Sequence, residues 1–120
     1  MYMYDPDGLH HMTEKNSFRP VSKKSEVRAK IAEMLLNEIE KGKIEAAIAR
    51  SADFYGYSTS SSILGELVFK NFSKGKKANW FSSVNYRHSF TYIPDAARAT
   101  AILGNTGEAF GETWHLPTAG

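Results

Sequence analysis

The sequence predicts an α/β fold organised on a short parallel sheet, and three stretches carry that prediction. Ile44 to Ala49 is a short apolar run between Gly42 and a Gly/Ser-rich loop, the pattern of a strand buried on both faces. An amphipathic helix leads into it, with Val27, Ile31, Met34, Leu35 and Ile39 at helical spacing. Further on, the apolar stretch His88 to Ile93 runs directly into an alanine-rich segment. In open α/β sheets ligands bind past the carboxyl ends of the strands. Arg50, Ser51, Asp53 and Tyr55 follow the central run and are the first polar residues to consider.

Composition narrows the class. A chain of 120 residues is the size of one domain and can bury a core. The hydrophobic share of 42% beside 23% charged residues is that of a soluble globular protein. The net charge of +2 is too small to argue for nucleic acid or an anionic membrane as a partner. No cysteine is present, which excludes disulfides and thiol chemistry and fits a cytoplasmic home. Met1 to Asp5 lacks the basic and apolar regions of a signal peptide, and no apolar run approaches the roughly 18 residues of a membrane span. Asn71-Phe72-Ser73 fits a glycosylation pattern and, without a secretory signal, reads as chance.

Taken in order, Tyr2 to Tyr4 reads as the end of a strand and Asp5-Pro6-Asp7-Gly8 as a turn. Leu9 to Pro20 is a loop in which His10 and His11 find no further ligand at metal-binding spacing. Ser22 is the expected N-cap of the first helix, Glu26 and Lys30 an i,i+4 pair on its wet side, and Gly42 its left-handed terminus. Ser58 to Ser62 is a polar loop, and Ser62 caps a second helix carrying Ile63, Leu64, Leu67, Val68 and Phe72 that ends near Gly75. Lys70, Lys74, Lys76 and Lys77 lie beside Phe72 and Trp80, a composition that can hold a nucleic acid or a ligand phosphate. Cations favoured by a helix C-terminus explain the cluster more simply.

Ala78 to Ser82 and His88 to Ile93 are expected as strands, and Pro94 opens a third helix with Asp95 in its first turn. The small side chains Ala96, Ala97, Ala99 and Ala101 would let that helix pack close to a sheet. Thr113 to Leu116 is the last expected strand. General catalytic templates are sparse: there is no GxGxxG, P-loop, HExxH or GxSxG. His88 and His115 can each serve as a general base or as a structural histidine, and Ser60, Ser61 and Ser62 as nucleophile or loop.

The order of the motifs adds to this. Tyr2-Met3-Tyr4, the helix after Pro20, Arg50-Ser51-Ala52-Asp53-Phe54-Tyr55-Gly56, Phe90-Thr91-Tyr92-Ile93-Pro94-Asp95 and Trp114-His115-Leu116-Pro117 follow one another over most of the chain. This series resembles the C-terminal part of the extended short-chain dehydrogenases/reductases, the NAD-dependent epimerase/dehydratase family. The resemblance implies a partial Rossmann-like, NAD(P)-binding α/β fold: a single partial domain over residues 1–120, with substrate-lobe elements and without the N-terminal dinucleotide-binding half. It implies NAD or NADP as cofactor near Ser51, Ala52 and Asp53, and a small-molecule substrate near Tyr55, Gly56, Ser60, Arg87 and His88. Alignment on the first helix puts Lys24 at the family's catalytic tyrosine and Arg28 at its lysine. Arginine, always charged, cannot serve as a titratable partner. His88 stands where sugar-nucleotide members carry a phosphate-binding arginine, and Asp95 resembles a shared helix-capping aspartate. No metal is implied. The expectation is a fragment of an oxidoreductase or isomerase acting on a hydroxyl, carbonyl or sugar-type substrate, inert alone. The rivals are a non-catalytic protein that self-associates or docks on another subunit, and an enzyme using Lys24 as proton donor.

Overall fold

In the computed structural model, residues 3–57, 62–81 and 83–118 are described. The architecture is mixed α/β, with three α-helices and two separate parallel strand pairs among the described residues. They fall into two compact units, one reaching to Arg50 and including Ile102–His115, the other Ser51–Ala101 with Leu116 onward.

In the first unit, Tyr4 forms an isolated antiparallel bridge to Phe18, while Tyr2, where the expected strand end begins, lies outside the described residues. Between Tyr4 and Phe18, Asp5 caps a 3-10 turn at Pro6–Gly8, accepting from the Asp7 amide at 2.9 Å. Helix α1 (Lys23–Glu40) starts at Ser22, whose hydroxyl accepts from the Ser25 amide while the Ser25 hydroxyl accepts from that of Ser22, a reciprocal capping box. It ends as Gly42 predicts. With φ at 68°, Gly42 donates to Ile39, and Lys43 donates to Glu38, the double bond of a Schellman terminus. The expected Glu26–Lys30 pair does not form.

The face that α1 buries is the main departure from expectation. Ser25, Ala29 and Ala32 are buried, with Leu36 and Ile39 half-buried on the same stripe. Val27, Ile31 and Met34 are 56%, 50% and 63% exposed. Val27 sits two positions from Ser25, about 200° round the helix, so the two stripes face apart. The fully buried positions of α1 are its small side chains. The expected stripe is split: Val27, Ile31 and Met34 lie on the outer face, while Leu35 and Ile39 are half-buried.

Strand β1 (Ile48–Arg50) pairs in parallel with a strand at Thr113–His115, Ile48 opposite Thr113 and Arg50 opposite His115. The run from Ile44 to Ala47 is not strand, because its partner is lost upstream of Thr113. There Gly111, at φ 87°, turns the chain away toward a 3-10 turn at Gly107–Ala109. Two bonds reach back, Gly111 amide to Ala46 carbonyl and Ile48 amide to Glu112 carbonyl. Nor is β1 buried on both faces: Ile48 is half-buried, Ala49 exposed and Arg50 buried.

In the second unit, β2 (Asp53–Tyr55) pairs in parallel with β3 (Phe90–Tyr92), Asp53 opposite Phe90 and Tyr55 opposite Tyr92. The Ser62 hydroxyl donates to the Phe54 carbonyl and accepts from the Gly65 amide, so it caps as expected. The helix it starts is wound as a π turn over Gly65–Phe69 before the single α turn α2 (Lys70–Phe72). Gly75, at φ 66°, repeats the Schellman bonds: its amide donates to Phe72 and that of Lys76 to Asn71. The expected strand at Ala78 to Ser82 is replaced by a single tie, Asn79 amide to Leu67 carbonyl, with Ser82 outside the described residues. Helix α3 (Ile93–Gly104) follows β3 without a linker and carries Pro94 and Asp95 in its first turn. Of its alanines only Ala96 is buried. The last strand is β4 (Thr113–His115), described above with its partner. Among the described residues no helix is long and apolar enough to cross a membrane.

Candidate functional site

Of the residues singled out after the central strand, Asp53 and His88 are brought together. Asp53 opens β2, and His88 lies two residues before β3, so the parallel register sets their side chains side by side. His88 Nε2 stands 2.8 Å from Asp53 Oδ2. Facing a carboxylate, Nε2 carries the hydrogen and donates, which leaves the lone pair on Nδ1. The pair is open to solvent, with side chains 43% and 29% exposed, so its net stabilising effect is small.

Aromatic rings hold the imidazole in place. The Phe90 centroid is 4.8 Å from His88, and Trp80 meets it edge-on at 5.6 Å. Tyr55 continues the row, 6.4 Å from Phe90 and 5.3 Å from Tyr92. Partial burial, with Tyr57 beside it, pushes the Tyr92 phenol above the ordinary tyrosine value. Gly56 sits at φ 133°, where an added Cβ would meet Tyr92 Cε2 at 3.1 Å. The chain therefore leaves β2 against the Tyr92 ring only because residue 56 is glycine. Thr91, fully buried, accepts from the Ala52 amide at 3.2 Å and fixes the approach to Asp53.

An imidazole oriented by a carboxylate and open on its other nitrogen can accept a proton from a hydroxyl or water. The remaining residues of the second unit frame this pair. Ser51 and Ala52 lie just ahead of β2, and Arg87 is exposed beside His88. Ser60 and Ser61 lie outside the described residues.

The first unit holds a second polar cluster. Arg50 is 7% exposed; its Nη1 donates to Tyr4 Oη at 2.6 Å, and its carbon centre lies 5.3 Å and 5.0 Å from the Tyr4 and Phe18 ring centroids. Its Nε and Nη2 are buried without a hydrogen-bond partner. Tyr4 Oη lies 2.7 Å from His115 Nε2. Because Arg50 already donates to the phenol, the phenol hydrogen goes to the imidazole, which is held neutral. Burial lowers the His115 pKa, and the neighbouring Arg50 charge acts the same way against the opposing effect of Glu14. Glu14 accepts from the His115 amide at 2.8 Å, which holds its carboxyl below the ordinary range. His115 is thus a structural histidine in a closed network, whereas His88 is presented to solvent.

Lys24 and Arg28 are exposed on the first turns of α1 and belong to the first unit. His10 and His11 lie in the N-terminal loop, and among the described residues no three His or carboxylate side chains gather to hold a metal ion. Phe90, Tyr4 and Glu14 were not singled out as site residues in the sequence, and Trp80 only as an aromatic beside the lysine cluster. Only the pairing of β2 with β3 reveals Phe90 and Trp80 beside His88, and only the bridge at Tyr4 reveals Tyr4 and Glu14. Comparison with protein-family models, with curated proteins and with solved structures finds no match to the chain.

Proposed function

We propose that this chain is the substrate-side, C-terminal portion of an NAD-dependent epimerase/dehydratase-like oxidoreductase or isomerase. Its substrate is a small hydroxyl, carbonyl or sugar-type molecule, and the portion alone turns nothing over. The observation that carries the reading is the Asp53–His88 pair at 2.8 Å. It falls within the Arg50 to Gly56 segment and at the position of the phosphate-binding arginine, the two places the resemblance gives to the substrate. With the arginine replaced by a carboxylate-paired histidine, the pair suits proton transfer to or from a hydroxyl better than phosphate binding. Ser51 and Ala52, just ahead of Asp53, are the residues assigned to the nicotinamide end of NAD or NADP. The choice between those two rests on a ribose contact outside the motifs found here.

The test is a titration of the purified chain with NADH and NADPH, followed by amide NMR. The expected result is weak, saturable perturbation of Ser51, Ala52 and Asp53, with no turnover of nicotinamide nucleotide. Silence at those amides at millimolar nucleotide, or nucleotide-dependent turnover by the chain itself, overturns the reading. A second reading, a non-catalytic protein that self-associates or docks on another subunit, is favoured by the exposed Val27, Ile31 and Met34 face of α1. Sedimentation distinguishes it: concentration-dependent association supports it, and a stable monomer removes self-association.

A further inference from the structure

The whole-chain charge of +2 conceals a segregation. The chain has 15 cations and 13 carboxylates, but residues 70–88 hold five of the cations (Lys70, Lys74, Lys76, Lys77 and Arg87) and none of the carboxylates. The fold concentrates three of these further. The Gly75 terminus reverses the chain, and the Asn79 amide bonds back to the Leu67 carbonyl, so Lys74, Lys76 and Lys77 occupy the tip of a reversal. All three are exposed and, among the described residues, none is within ion-pair distance of a carboxylate, whereas Lys70 is paired to Glu66 at 2.6 Å. Large apolar side chains stand exposed on both arms: Phe69 and Phe72 before the tip, Phe81 and Val84 after it, at 53%, 57%, 65% and 82%. Helix-dipole chemistry accounts for the lysines at the helix end but not for the apolar groups beside them.

We propose that this reversal docks on an anionic phospholipid bilayer, lysines against the headgroup phosphates and the flanking apolar side chains at the acyl boundary. The inference is independent of the proposed function. Charge gives the sign of the partner, and the apolar groups choose among anions. A single-stranded nucleic acid would use free aromatic faces, yet Trp80, the best stacking ring, already packs against Phe81, His88 and Phe90. Val84 would gain nothing from bases, whereas the exposed rings of Phe69 and Phe72 sit as well among acyl chains as on bases. A bilayer interface takes apolar side chains of any shape and adds roughly fivefold in binding for each nearby lysine.

Co-sedimentation with vesicles of phosphatidylcholine, with and without about one-third phosphatidylserine, tests this. The chain is expected to bind the anionic vesicles, to ignore the neutral ones, and to be released by high salt. The exposed triple substitution K74Q/K76Q/K77Q should weaken binding about 100-fold without changing the circular dichroism. Phe81→Ser should weaken binding while keeping its salt dependence. No binding to anionic vesicles, undiminished binding of the triple variant, or tighter binding to a mixed-sequence single-stranded RNA each overturns the proposal.

Discussion

Removing one oxygen from Tyr4 should harm this protein more than removing the whole guanidinium of Arg50. In Arg50→Met the first unit loses a hydrogen bond to a charged donor, about 1.5–3 kcal/mol, and two cation–ring contacts of about 0.5–1 kcal/mol each. The same substitution relieves the burial of Nε and Nη2, which lack partners. Each such orphan costs about 1–3 kcal/mol. Loss and relief nearly cancel, so Arg50→Met should lie within about 1–2 kcal/mol of the parent. Tyr4→Phe relieves nothing. It leaves the buried cation with no hydrogen bond and takes the phenol donor from His115 Nε2, a cost of about 2–5 kcal/mol. Urea unfolding of both variants and of the double variant measures this. The double variant should be more stable than Tyr4→Phe alone, because removing the cation removes the orphan. A larger loss for Arg50→Met than for Tyr4→Phe, or simple additivity, refutes the reasoning.

Three further outcomes are expected. Burial places the folded pKa of His115 below its ordinary value of about 6.5, so its contribution is present above that pH and is lost as pH falls through the folded value. Glu14, lowered chiefly by the His115 amide, adds a second loss at more acidic pH, and stability measured against pH should fall in that order. Gly56→Ala should cost about 1–3 kcal/mol in the same unfolding assay, since alanine at φ 133° is strained and its Cβ presses on Tyr92. Asp53→Asn should change stability by less than about 1 kcal/mol, because the pair it breaks is solvated; a severe loss would make the pair structural.

Local chemistry was legible in the sequence wherever the cause was local. Ser22, Gly42, Ser62 and Gly75 stop or start helices through bonds spanning three to five residues, and the structure has each of them in that role. The strand at Thr113 and the junction of Tyr92 with α3 were near expectation for the same reason. What sequence could not supply was which face meets a neighbour. The α1 stripe of large apolar residues was the stronger periodic signal, yet full burial went to Ser25, Ala29 and Ala32, and Val27, Ile31 and Met34 stayed exposed. The Asp53–His88 pair depends on a strand register 35 residues away in sequence. Arg50 looked like a site residue because it follows a strand, and only the Tyr4 phenol, 46 residues earlier, makes it an interior group.

The discontinuity of the first unit sets an order of assembly. Tyr4 and His115 meet across 111 residues, whereas Asp53 and His88 meet across 35. Closing the longer loop costs more entropy and is slower, so the second unit's strand pair can form while the first unit still lacks β4. During synthesis Tyr4 and Arg50 leave the ribosome well before Thr113–His115 exist. Strand β4 then acts as a latch: Tyr4 and the buried cation of Arg50 wait on Thr113–His115. A nick or truncation there should undo packing at the opposite end of the sequence while leaving the Asp53–His88 pair assembled.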